Sequence, residues 1–244
     1  MRRIFFVLVL TFFLLIPPDG ACPGHPGAAA ASRYEFDNIA VFWVSGSQLK
    51  ALNLVSIDRR KGQVGIIAIP TCTLVSLSRD GITVADLYSQ KGMAGVMENL
   101  AVNFQAPVKK YILVPQQGLE KLSRCTGRIN VMGKNTTLRD VFEGTYVDGP
   151  VDLQVEIRSL AAGVIKPSVL AHLPELLFIF VTEFQTNTGL GDLLNVYSFV
   201  CTGGPGVIKK NQLPGTPCWF GPQKVWLVDS QTWRSAIRAI MQQN

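Results

Sequence analysis

The stretch "QVGIIAIPTCTLV", residues 63–75, reads as a buried strand that runs out into a proline, two threonines and a cysteine. A strand end pointing out of a sheet is where α/β proteins commonly place their chemistry. Its neighbours supply the rest of a sheet. "NIAVFWVSG" is a short apolar strand, and "LKALNLVSID" joins the 63–69 run through a hairpin across Arg59, Arg60, Lys61 and Gly62. In "VADLYSQKGMAGVMENLAVNF", Val84, Leu87, Tyr88, Met93, Val96, Met97 and Leu100 fall close to helical spacing. "KKYILVPQ" is a strand, "QGLEKLSRC" a short helix and "RINVM" another strand. A polar turn from Gly133 to Thr137 opens the second half, followed by helical segments over about 151–165, 169–184 and 189–200. "GVIKKNQLPG" and "QKVWLVD" return to strands, and "SQTWRSAIRAIMQQ" closes as an amphipathic helix with Ser230 as N-cap. Strands and helices interleave throughout, which predicts an α/β (α+β) class with one domain over residues 34–243 and a mixed sheet.

Ahead of that domain, Met-Arg-Arg leads into an apolar run from Ile4 to Ile16, interrupted only by Thr11, that stops at Pro17. A bilayer span needs roughly 20 apolar residues, so this shorter run fits a signal-peptide core. The expectation for residues 1–31 is a signal peptide or an N-terminal membrane anchor with a Pro, Gly and Ala-rich spacer. Cleavage after the Ala28 to Ala31 run, lipidation at Cys22 and retention all remain open. Without residues 1–31 the formal charge falls from +6 to +5, which suits anionic lipid headgroups or wall polymers and equally suits an ordinary solvated surface.

The chain has five cysteines, Cys22, Cys72, Cys125, Cys201 and Cys218, and two histidines, His25 and His172. With no CxxC pair, the spacing speaks against a zinc site, and no metal ligand is assigned. Cys72, Cys125, Cys201 and Cys218 are either disulfide partners, in one of three pairings, or free thiols. A hydrolase built on Cys72 needs a base, and His172 lies in an apolar helical stretch where burial or helix capping suits it better. The "CTGGPG" run at 201–206 lacks the Gly-Lys-Ser/Thr of a phosphate loop and precedes a strand, so it reads as a turn. No helix combines clustered basic residues with a groove-binding turn, which argues against nucleic acid as a partner.

Taken in order, these pieces resemble the LytR-CpsA-Psr family of exported bacterial cell-envelope proteins, from about Asn38 to Met241. "LVSIDRRKGQVGIIAIPTCT" is similar to the family's paired strands with a basic turn, ending in Ile-Pro-Arg-Asp-Thr. "MENLAVNFQAPVKKYILVPQQGLEKLSRCTGRINV" and "LPGTPCWFGPQKVWLVDSQTWRSAIRAIM" match its helix-strand-helix centre and its terminal strand and helix. The resemblance implies one α/β domain with a helix-lined apolar pocket for a polyisoprenyl phosphate carrier. It also implies arginines, carboxylates and Mg2+ at the mouth, passing a glycopolymer to peptidoglycan.

At those positions the chain differs. The family's arginine and carboxylate after Ile-Pro fall on Thr71 and Cys72, followed by Thr73. Its early Gly-x-Asp and second Asp fall on Trp43, Ser45 and Lys50. Its Tyr-Val-Arg falls on Tyr146-Val147-Asp148, and its Arg-x-x-Arg-Gln-Gln helix retains only Arg158 before Ser159-Leu160. Arg158, Thr71, Thr73 and Arg79 are the candidate contacts to a phosphate or lipid head. Threonines hydrogen-bond a phosphate without supplying charge. The reading is therefore an exported, membrane-proximal envelope protein that has lost the transfer reaction. It would bind a polyisoprenyl phosphate lipid, an anionic wall polymer or a partner. The alternative is an active phosphotransferase with Mg2+ bound and with charge supplied by Arg79, Arg124 or Arg158.

Overall fold

The computed structural model describes residues 36–75, 81–143, 146, 155–156, 159, 172–189, 199 and 205–242. At its centre β1 (Asp37–Ser45) is buried on both faces, with Ala40, Val41 and Phe42 almost without solvent contact. It pairs antiparallel with β2 (Gln48–Asp58), which pairs antiparallel with β3 (Gln63–Ile69). The β2–β3 turn is set by buried Asp58, whose Oδ1 accepts from the backbone N–H of Arg60 at 2.9 Å and of Lys61 at 3.0 Å. β4 (Lys110–Pro115) lies parallel to β1, β7 (Gln185–Thr186) pairs outside β4, and β8 (Ile208–Gln212) lies parallel to β3. The six-stranded order is β7-β4-β1-β2-β3-β8, a mixed sheet as the interleaved pattern predicts.

Side chains alternate across the strands, so β1 feeds two separate cores. Ala40, Phe42 and Val44 pack under α1 (Val84–Phe104) and α5 (Ser230–Gln242). Ile39, Val41 and Trp43 pack under α2 (Gln116–Thr126), α3 (Leu138–Glu143) and α4 (Leu173–Glu183). α1 spans the expected residues and opens on a capping box: Asp86 N–H donates to Thr83 Oγ1, and Thr83 N–H donates to Asp86 Oδ2. Gly92, at φ 64 and ψ −165, interrupts it. Beyond it Val96 and Leu100 are buried, and Met93 and Met97 are partly covered.

Three local expectations are corrected. Residues 134–137 are not a turn: β5 (Arg128–Val131) and β6 (Lys134–Thr137) form a hairpin closed by Met132 and Gly133 at φ 54 and 80, the left-handed pair of a type I′ turn. The segment "TPCWF" forms a strand, β9 (Thr216–Phe220), paired with β10 (Gln223–Leu227). The final helix is capped by Asp229 rather than Ser230. The Asp229 carboxylate accepts from the Thr232 N–H at 2.8 Å and from its hydroxyl, which holds the carboxyl below the ordinary aspartate range. The leader with Cys22, and the helical segments expected over 151–165 and 189–200 apart from isolated positions, lie outside the described residues. Among the described residues no helix is long and apolar enough to cross a membrane.

Alanine normally stabilises a helix interior relative to glycine, but at Gly92 the sign reverses, because this φ and ψ combination is one that only glycine adopts freely. Gly92→Ala is expected to destabilise by about 1–3 kcal/mol, read as a lower urea midpoint at unchanged slope.

Candidate functional site

β1 and β3 are both antiparallel to β2, and each has a parallel neighbour, β4 and β8. The carboxyl ends of four strands therefore lie along one edge of the sheet, where open α/β sheets bind ligands. Ser45 ends β1, Lys50 follows the β1–β2 turn, Thr71 and Cys72 follow β3, and Gln212 ends β8.

Beyond β3 the chain is strapped on both sides. Thr73 N–H donates to the Pro70 carbonyl at 2.9 Å, closing a tight turn. Trp226 N–H donates to Cys72 O at 2.9 Å, and Leu74 N–H donates back to Trp226 O. The Ala85 and Val84 N–H groups donate to Thr71 O and Thr73 O, tying the same segment to the start of α1. A groove of about 510 Å³ lies beside this strap, lined by Thr71, Cys72, Pro217, Lys224 and Trp226 among others. Thr71 and Cys72, both singled out from the sequence, are thus brought to it. Thr73 is wholly buried, so its hydroxyl does not reach the groove surface. Lys50 donates to Gln48 Oε1 at 2.7 Å in an exposed pair at the hairpin. Arg79, Asp148, Arg158 and Cys201 lie outside the described residues.

The edge holds polar groups that the fold does not satisfy. Trp43 Nε1, Thr73 Oγ1 and Gln212 Nε2 are buried with no hydrogen-bond partner. Each such group costs about 1–3 kcal/mol, and buried orphans are rare enough to mark sites. Gln212 borders a narrow cleft with Ala51, Asn53 and Ala68. Strand alternation puts Trp43, Asn53, Lys210 and Gln212 on the face beneath α2, α3 and α4, with Lys210 itself buried. Lys224 is the one cation lining the groove among the described residues, and no carboxylate lines groove or cleft. Magnesium takes hard oxygen ligands, carboxylates first. These described residues do not fit it.

A second cavity, of about 790 Å³, opens between the end of α2 and the start of α4, lined by Arg124, Cys125, Gly127, His172, Glu175 and Phe178 among others. Cys125 is about 15 Å along α2 from the end of β4, at 1.5 Å per residue. His172 takes the N-cap position of α4 without a side-chain cap bond and is exposed, which corrects the expectation of burial. Its Nδ1 lies 3.5 Å from Glu175 Oε2. The Cys125 thiol is pushed up to about 11 by burial and then by its hydrogen bond to the Glu175 carboxylate and that group's negative charge. Cys72, Cys125 and Cys218 are free thiols. Sequence spacing missed this cluster, because its members come from two helices that only the fold brings together.

No protein-family model and no curated protein matches the sequence. Solved structures do. The Lin1025 protein of Listeria innocua is 16% identical, with a TM-score of 0.62 over 84% of this chain and 96% of its own. TagV of B. subtilis is 15% identical, with a TM-score of 0.56 over 87% of this chain and all of its own. TagT, in a structure described as bound to LI-WTA, is 12% identical, with a TM-score of 0.56 over 84% of this chain and 89% of its own. TagV and TagT are LytR-CpsA-Psr proteins. The chain has a LytR-CpsA-Psr-like fold. The resemblance carried by "IAIPTCT" and its flanking strands is therefore matched in three dimensions, over nearly the whole described part.

Near pH 8, a thiol raised from 9.0 to about 11 has on the order of 100-fold less thiolate. Iodoacetamide at pH 8 should therefore modify exposed Cys72 first and Cys125 last, as read by peptide mass mapping. Glu175→Gln should bring Cys125 forward, since it removes the charge that holds the proton on.

Proposed function

We propose that this is an exported cell-envelope protein that binds a polyisoprenyl phosphate lipid at the carboxyl edge of its sheet and has lost the family's phosphotransferase reaction. One observation carries the reading: the strand tip after β3 presents Thr71 and Cys72 to a groove whose one cation among the described residues is Lys224, in place of an arginine and a carboxylate. A threonine hydroxyl hydrogen-bonds a phosphate, and a lysine supplies a point charge. Phosphoryl transfer needs more, because charge developing on the phosphoryl oxygens has to be neutralised by arginine forks or a metal ion. The fold shared with cell-envelope proteins supports an extracytoplasmic setting, and the apolar leader supports export. The structure of TagT with LI-WTA makes an anionic wall polymer the other ligand to test.

The test is to express the full chain in a bacterial host, purify it in detergent, and extract bound lipid for mass spectrometry. Polyprenyl phosphate is expected at near-stoichiometric level, with no transfer of labelled glycopolymer to peptidoglycan. An extract free of isoprenoid overturns lipid binding. Measurable transfer, lost on substitution of Arg158, overturns the loss of activity and favours the phosphotransferase reading.

A further inference from the structure

We infer that Cys125, His172 and Glu175 form a zinc site with one open coordination position. One donor atom from each of the three residues, sulfur, imidazole nitrogen and carboxylate oxygen, lies within 4.8 Å of the other two. Two helices supply them. Cys125 stands in the last turn of α2, and His172 and Glu175 stand three residues apart at the start of α4, a spacing that puts both on one helix face.

Size, charge and ligand chemistry agree on the ion. Bonds of about 2.0–2.3 Å in a tetrahedron put zinc ligands about 3.3–3.8 Å apart. The His172–Glu175 pair is already at 3.5 Å. The 4.8 Å limit leaves about 1 Å of closure, which rotation of two exposed side chains supplies. Thiolate and carboxylate together cancel the charge of a divalent cation, with the imidazole neutral. Sulfur and imidazole select zinc over magnesium or calcium, which take oxygen. Of the two cations lining the cavity, Lys121 is engaged by Glu183, and Arg124 adds a positive charge that the thiolate and carboxylate stand against. On binding, the thiol proton passes to solvent as sulfur takes the metal.

Three protein ligands leave a fourth position, the arrangement of zinc sites that bind a water or an exogenous ligand rather than purely structural ones. Here that position opens on the 790 Å³ cavity. The site stands apart from the carboxyl edge of the sheet and does not depend on the lipid reading.

The full chain, purified in detergent and stripped with chelator, is titrated with Zn2+ alone and with Co2+ alone. The expected result is one ion per chain, with a thiolate-to-cobalt charge-transfer band in the near ultraviolet. C125S should abolish that band, and H172A and E175Q should each weaken Zn2+ binding at least tenfold, while C72S and C218S leave it unchanged. Exposed His172 keeps the test valid if C125S fails to fold, since its replacement leaves the core intact. Absence of stoichiometric binding, or binding that survives H172A and E175Q, overturns the site.

Discussion

The structure depends on the burial of β1 on both faces. Ala40, Val41 and Phe42 exclude solvent from opposite sides of one strand, so no arrangement with a single helical layer can cover it. The two cores follow, one under α1 and α5 and the other under α2, α3 and α4. β4 lies parallel to β1, and α1 lies in the connection that carries the chain from β3 back to β4. Parallel pairing then fixes function's address, because it brings the carboxyl ends of β1, β3, β4 and β8 to the same edge.

Both layers carry buried polar groups. Under α1 and α5, Ser56 Oγ donates to Asn38 Oδ1 at 2.7 Å, and Asn38 donates to the Pro107 carbonyl at 3.1 Å. On the same face Gln63 Oε1, in line with Ile67 and Ile69 of β3, is buried without a partner. Beneath α2, α3 and α4 the indole N–H of Trp43 and the amide of Gln212 are left unpaired, and the Cys125–Glu175 contact opens on a cavity. Orphaned groups costing about 1–3 kcal/mol each are large against a net stability of about 5–15 kcal/mol. A bound polar molecule that paired them would recover part of that cost.

The strands and long helices were legible in the sequence because their apolar spacing is local. β1, β2, β3, α1 and β4 fall where "NIAVFWVSG", "LKALNLVSID", "QVGIIAI", "VADLYSQKGMAGVMENLAVNF" and "KKYILVP" put them. "TPCWF" was illegible as a strand because its residues are mostly exposed and carry no alternation. Thr71 and Cys72 were legible as edge residues, since the position after a buried strand has only one place to go. Lys224 and Gln212 were not, because they reach that edge through pairing between segments about 140 residues or more apart in the chain, a separation no spacing rule spans. The clustering of Cys125, His172 and Glu175 was not legible for the same reason: motif rules look for ligands in one or two neighbouring elements.

The same charge arithmetic separates holding a phosphate from transferring it. A single ammonium about 4 Å from a phosphate oxygen contributes about 4 kcal/mol at an effective dielectric near 20, and less where solvent reaches it, as it does at Lys224. Together with neutral hydrogen bonds, that is enough for binding. It acts almost equally on the ground state and on the transition state, and uniform binding of this kind does not accelerate chemistry. An arginine placed to meet developing charge contributes about 10³–10⁵ in rate, through a planar fork that neither Thr71 nor Lys224 can imitate. On the proposed reading, replacement of that fork by a threonine at the tip of β3 removes catalysis while leaving the strap, the groove and the fold around it in place.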